Sequence, residues 1–161
     1  MAVDYFLKIR GVEGESKAEG HNGEIQLESW SFGESQTGSF AYGGGGGAGK
    51  VQMQDFHFTM KANKASPKLF LACATGEHIG EGILTARKAG KEQRDFLKWT
   101  FSDLLVSSYQ TGGQASSDDI PLESISFNFG KCEVEYREQQ ADGTLAGPVR
   151  AQYDLKRAKG A

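Results

Sequence analysis

Residues 51–60, VQMQDFHFTM, indicate the fold class of this 161-residue chain. The apolar side chains keep one phase before Gln54-Asp55 and the opposite phase after it: Val51 and Met53, then Phe56, Phe58 and Met60. A period of two is typical of a β-strand with one buried face. A slip in that phase indicates a bulge or a corner, where the strand bends.

Two more stretches repeat this pattern of alternation and slip. In residues 25–36, IQLESWSFGESQ, the phase slips at Glu28-Ser29, and in residues 122–136, LESISFNFGKCEVEY, it slips at Gly130-Lys131. Residues 25–36 and 51–60, with facing slips, predict one bent hairpin. Strands bent at corners allow a sheet to close on itself. The chain is therefore predicted to be mainly β, a compact closed β-barrel of two bent sheets with long hairpin loops, in one domain over residues 1–161.

The same alternation predicts which side chains of residues 25–36 face the core. Trp30 and Phe32 share the apolar phase, so Ser29, Ser31 and Gly33 are expected on the opposite, small and polar face. An ordinary solvent-exposed strand remains an alternative for that face.

One segment, SPKLFLACATGE, interrupts the β pattern. Ser66 suits an N-cap, Pro67 suits the first helical position, and Gly76 supplies a stop. A short helix over about residues 67–75 is predicted, with an apolar face that includes Leu69 and Phe70. It is expected to cover an opening or to pack on the barrel wall.

Charge and composition exclude several classes of function. The net charge of −3 argues against nucleic-acid binding, which needs a basic surface. No apolar run approaches a membrane span, so no membrane insertion is expected, and the N-terminus does not resemble a signal peptide. Cys73 and Cys132 are expected to be buried free thiols.

The stretch YGGGGGAGKV, residues 42–51, resembles a phosphate-binding loop. Such a loop needs a Ser or Thr after the lysine and a helix that begins there. Val51 follows Lys50, and the next residues alternate as a strand. A mobile hairpin loop is therefore the preferred interpretation, and no cofactor is expected.

The histidines have no metal-ligand spacing, and no nucleophile accompanies a base, so neither a metal site nor an enzyme is predicted.

The stretch FLKWTF, residues 96–101, carries large apolar groups on both faces. Phe96 has one phase, and Leu97, Trp99 and Phe101 have the other. A sheet in water needs only one apolar face. Either the helix covers the second face, or a subunit interface does, with Leu97, Trp99 and Phe101 as the candidate interface residues.

The order of segments along the whole chain closely resembles the haemolysin-coregulated protein (Hcp) family. The collinear series carries the resemblance: MAVDYFLKIRGVEGES, ESWSFGESQTGS, GGGGGAGKVQMQDFHFT, SPKLFLACATGEH, LTARKAG, LLVSSYQTGG and ISFNFGKCEVEY. The resemblance implies a tube subunit of the type VI secretion system. Six copies would form a hexameric ring, and rings would stack into a tube inside a contractile sheath, capped by a spike protein. Small effector proteins would bind in the lumen. The chain would assemble in the cytoplasm and then be secreted without a signal peptide.

Within such a tube the sequence suggests two further roles. Ser29, Ser31 and Gly33 would line the lumen, and the glycine loop would form the ring–ring contact: Gly43, Gly44, Gly45, Gly46, Gly47, Gly49 and Lys50. The alternatives are a monomeric ligand-binding β-barrel carrier and, through the glycine loop, a nucleotide-dependent enzyme. The native mass in solution separates the hexamer from both.

Overall fold

A computed structural model describes residues 2–38, 50–89 and 93–161. The chain is mainly β, as predicted, with one short helix among these residues. The elements follow in chain order: β1 (Val3–Ile9), β2 (Ile25–Leu27), β3 (Ser29–Ser31), β4 (Glu34–Gln36), β5 (Val51–Met53), β6 (Phe56–Lys61), α1 (Ser66–Thr75), β7 (His78–Lys88), β8 (Asp95–Gly112), β9 (Leu122–Asn128), β10 (Lys131–Gln139), β11 (Leu145–Asp154) and β12 (Lys159–Gly160).

The long strand β8 joins two parts of one continuous ten-stranded antiparallel sheet, called here the back sheet and the front sheet. Its first half pairs with β7 and β10 in a back sheet of order β12-β11-β10-β8-β7-β1-β2. Its second half pairs with β9 in a front sheet of order β3-β6-β9-β8. Among the described residues no ladder joins β2 to β3 or to β6. The closure of the predicted barrel therefore stays a prediction.

The predicted bent hairpin is present, with β3 and β4 paired to β6 and β5. Strand breaks also occur at Gln54-Asp55 and around Gly130, as the phase slips indicated. The predicted alignment of the slips was wrong. The Gln54 N–H donates to the Gly33 carbonyl at 2.9 Å, whereas the Glu28 N–H donates to Thr59 at 2.9 Å. The first strand therefore bends twice, and only its second bend faces Gln54-Asp55.

The core lies between the two sheets and is dominated by aromatic side chains. Phe56, Phe58, Phe101 and Phe127 are at most 1% exposed. Phe56 contacts Phe101 and Phe127 with ring centroids 5.0 and 4.9 Å apart. Each such burial stabilises the fold by about 1.5–3 kcal/mol. Trp30 and Phe32 pack against this core, as the alternation predicted.

The helix α1 differs from its prediction in two respects. The cap position belongs to Ala65, and the Ser66 hydroxyl accepts a hydrogen bond from the Asn63 N–H instead. Phe70 is 57% exposed and does not join Leu69 on the buried face. Gly76 ends the helix with a left-handed φ of 69°, as expected.

A loop covers the far side of β1. His21 stacks on Phe6 with ring centroids 4.5 Å apart, and its two ring nitrogens lie within 3.0 Å of carboxylate oxygens of Glu24 and Asp95. The guanidinium of Arg87 lies 5.0 Å from the centre of the Phe6 ring. Phe6 is consequently buried although it points away from the main core.

Candidate functional site

The outer side of the front sheet carries a surface of small polar groups, called here the hydroxyl face. Directly opposed residues of an antiparallel sheet point to the same side, so the strand registers place its members in two rows. These rows are Ser31–His57–Ser126–Ser108 and Ser29–Thr59–Ser124–Gln110. The eight side chains include no carboxylate, ammonium or guanidinium group. The face can form hydrogen bonds with almost any polar surface.

Hydrogen bonds tie parts of the hydroxyl face together. The Ser29 and Thr59 hydroxyls lie 2.6 Å apart, and His57 Nδ1 lies 2.9 Å from Ser126 Oγ. Ser31 is exposed, and its side chain forms no hydrogen bond with the residues that the structure describes. The structure therefore brings the predicted channel residues Ser29 and Ser31 together on one polar face. Gly33 lies outside these rows, in the bend between β3 and β4.

A second surface, the apolar wall, lies where β10 and β11 extend the back sheet beyond β8. Leu97 opposes Tyr136, which opposes Val149, and the next row repeats the pattern. The wall consists of Leu97, Trp99, Val134, Tyr136, Val149 and Ala151. Val149 is 71% exposed and Tyr136 is 46% exposed. An exposed contiguous apolar face of this kind marks an interaction surface.

The other face of the same strands is polar, which makes the sheet extension amphipathic. Lys98 opposes Glu135, and Glu135 opposes Arg150. The Arg150 guanidinium donates to Glu135 at 3.0 Å. This polar face is therefore suited to contact with water. The apolar wall carries no ion pair of this kind among the described residues, so water is a poor partner for it.

A groove of about 340 Å³ lies at the base of the apolar wall. Its lining includes Phe32, Gly33, Trp99, Val134 and Tyr153. The rings of Phe32 and Trp99 meet edge to face, with centroids 5.2 Å apart. The wall therefore adjoins the β3 edge of the front sheet. Burial, followed by the charge of Glu34, raises the pKa of the Cys132 thiol in this groove.

The predicted interface residues fall into two groups. Leu97 and Trp99 are half-buried and belong to the apolar wall. Phe101 is fully buried in the core, in contact with Phe127 and Phe129, so the prediction of a surface role for it was wrong. The alternation put all three on one face but could not show how far the core extends along that face.

The predicted ring–ring loop falls mostly outside the described residues. Gly43, Gly44, Gly45, Gly46, Gly47 and Gly49 lie in the stretch that the structure does not describe. Lys50 is described and exposed, and its carbonyl accepts a 3.3 Å hydrogen bond from Thr37.

A buried carboxylate fixes the start of α1 on the front sheet. Glu123 is 3% exposed, and its two oxygens accept hydrogen bonds from the hydroxyls of Ser66, at 2.5 Å, and Tyr109. Burial, followed by the hydrogen bond to Glu123, raises the pKa of Tyr109 to about 12. The alternation of residues 122–128 puts Glu123 in the buried phase with Ile125 and Phe127, which is a signal of this site that the sequence reasoning missed.

No group of three or more His, Cys, Asp or Glu side chains could hold a metal ion in residues 2–38, 50–89 and 93–161. In the same ranges, no helix is long and apolar enough to cross a membrane.

Comparison with known proteins identifies the family. Residues 6–136 match the family described as type VI secretion system effector, Hcp. The chain is 45% identical over 158 residues to protein hcp1 of Pseudomonas aeruginosa, which covers 97% of both chains. A crystal structure of Hcp1 from Salmonella typhimurium superposes with a TM-score of 0.80 at 33% identity, covering 100% of each chain.

A further solved structure, described as a type six secretion system protein, superposes with a TM-score of 0.94 at 26% identity. It covers 99% of this chain and 100% of its own. The chain belongs to the Hcp family of type VI secretion proteins, and the resemblance read from the sequence is confirmed.

Proposed function

We propose that this chain is the tube subunit of a type VI secretion system. Six copies form a ring with a central channel, each subunit closes its two sheets into a barrel at the β2–β3 corner, and rings stack into a tube. The family membership supports this role, and the apolar wall is the observation in the structure that carries it. Secretion follows the tube, without enzymatic activity or a cofactor.

The apolar wall needs a partner because its side chains remain in contact with water in the isolated subunit. Burying apolar surface contributes about 25 cal/mol per Å². Val149 and Tyr136 are the most exposed large side chains of the wall. Closed rings arise from head-to-tail interfaces whose rotation closes, in which the wall of one subunit meets a different surface of the next.

The hydroxyl face supports the channel role. A lumen that carries different small effector proteins must bind them without holding them by apolar contact. The Ser29 and Ser31 side chains and their neighbours offer hydrogen bonds and little apolar surface. The glycine loop with Lys50 is proposed to contact the next ring. The spike protein and the contractile sheath are the remaining partners.

The test is to place a charge in the apolar wall. Val149→Asp puts an unpaired carboxylate into the proposed interface, which costs several kcal/mol when buried. Ile120→Asp is the control, because Ile120 is also an exposed apolar residue, 56% exposed, and lies outside both the apolar wall and the groove at its base.

Light scattering should report a hexamer for the control and monomers for Val149→Asp, with unchanged far-UV circular dichroism. Hexamers of unchanged stability from Val149→Asp would contradict the proposed use of the wall.

A further inference from the structure

The helix α1 is apolar on two sides, and only one of them is covered. Leu69 and Ala72 are buried against the subunit. A second stripe faces solvent, and its members recur at the i, i+3, i+4, i+7 spacing of one helix face: Pro67, Phe70, Leu71 and Ala74, all exposed. These four residues are called here the helix patch. A contiguous apolar patch on the surface marks an interaction site, so the helix patch is a candidate docking surface.

The helix patch and the apolar wall lie at opposite edges of the front sheet. Phe70 meets Tyr109 of β8 edge to face, with centroids 5.9 Å apart. Residues 106–112 of β8 pair only with β9, and β3 pairs only with β6, among the described strands. The patch therefore lies beside the open β8 edge, whereas the wall adjoins the open β3 edge through Phe32 and Trp99.

We infer that the helix patch of one subunit docks on the apolar wall of its neighbour. This inference rests on the proposed hexamer and names the two surfaces that meet in it. When the hydroxyl faces of adjacent subunits both point to the channel, the β3 edge of one subunit approaches the β8 edge of the next. The wall beside the first edge then meets the helix beside the second.

The charges of the two surfaces are complementary. Lys68 is the only charged residue of α1, one turn before Leu71. The groove at the base of the wall is lined by Glu34 and by no lysine or arginine among the described residues. A second copy of this chain thus offers both an apolar stripe and a cation to a surface that presents apolar groups and a carboxylate.

Cross-linking tests this pairing in the full-length chain. In a Cys73→Ala, Cys132→Ala background, which removes both native thiols, including the one in the groove, Leu71→Cys is combined with Val149→Cys, and the protein is treated with a short bis-maleimide. A denaturing gel should show a ladder of up to six linked chains. Each single variant should give no ladder, because a head-to-tail interface never places the same residue against itself. Co-expression of the two single variants should restore linked dimers.

Aspartate substitutions provide a second readout. Leu71→Asp should abolish the hexamer in light scattering, because Leu71 is 54% exposed and lies in the helix patch. Ile120→Asp changes an equally exposed apolar residue, 56% exposed, outside both surfaces, and should leave the hexamer intact.

The outcomes separate this inference from the proposed function. A wild-type hexamer whose double-cysteine variant gives no ladder would overturn the pairing and leave the tube function standing. Ladders from a single-cysteine variant, or equal dissociation of Leu71→Asp and Ile120→Asp, would also overturn the pairing. A monomeric wild-type protein would defeat the proposed function itself.

Discussion

At the scale of single residues, Glu123 shows how a buried carboxyl group is accommodated. Its carboxylate lies in an alternating strand at a position that faces the core, and its two oxygens accept hydrogen bonds from Ser66 and Tyr109. A buried carboxylate without partners would be strongly destabilising. The two hydroxyls thus join the helix, β8 and β9 at one point.

Tyr109→Phe should destabilise the fold, because it leaves one Glu123 oxygen buried without a donor. The expected loss is about 1–3 kcal/mol in the free energy of unfolding, measured by urea denaturation at fixed protein concentration. Tyr5→Phe is the control, since Tyr5 also packs against the core and its hydroxyl forms no hydrogen bond with the described residues. An equal loss in both variants would show that the Glu123 contact has no special role.

The raised pKa of Tyr109 also predicts a pH dependence. Folding favours the protonated phenol, so its contribution to stability is complete below the ordinary pKa of 10 and is lost as pH rises through about 12. The wild type should therefore lose stability relative to Tyr109→Phe between pH 10 and 12. Parallel stability curves of the two proteins over this range would refute the assignment.

Several residues mark where sequence reasoning succeeded and failed. Alternation placed Trp30 and Phe32 against the core because a strand has a fixed period. The same rule gave no sign that Phe6 is buried, since its cover comes from the loop that carries His21. Burial on the second side of a sheet depends on segments distant in the chain, and a local period does not contain that information.

At the scale of elements, the bent strands explain the hydroxyl face, and the helix explains the helix patch. The break before β6 and the long course of β8 create the front sheet, whose outer side is the hydroxyl face. The limits of α1 were predicted from Pro67 and Gly76, whereas the exposure of Phe70 was not. The sequence could not reveal it, because an apolar side chain at helical spacing fits a core and an interface equally well.

Gly76→Ala tests the helix stop. Gly76 has a φ of 69°, and a Cβ there would meet no atom within 4 Å. The cost is therefore conformational, about 1–2 kcal/mol in the free energy of unfolding. Gly147→Ala is the matched control, because Gly147 is equally unobstructed but does not have a positive φ. Urea denaturation should show a loss for Gly76→Ala only, and equal stability of the two variants would contradict this reason for the glycine.

At the scale of the whole molecule, the hydroxyl face predicts how the channel treats its cargo. Ser31→Gln adds bulk to the centre of this face and should lower recovery of a co-expressed small effector about tenfold, the effect of moderate overpacking. Ser35→Gln is the control, since Ser35 lies on β4 outside the face. Both variants should remain hexameric. Unchanged recovery with Ser31→Gln would contradict the lumen assignment.

The family and the mainly β architecture could be recognised from the sequence because a whole series of segments keeps its order. The hydroxyl face and the apolar wall could not be recognised in full from the sequence. Each combines residues of separate strands, and only the fold determines how those strands pair. Leu97 and Trp99 were predicted, whereas Val134, Tyr136 and Val149 join them only through the pairing of β8, β10 and β11.

The native mass of the unmodified protein tests the central claim most directly. Size-exclusion chromatography with light scattering at micromolar concentration should give six times the 17.4 kDa of the chain. The exposed apolar wall and helix patch are the physical reasons for this expectation. A stable species of 17.4 kDa would contradict the account and favour a monomeric carrier.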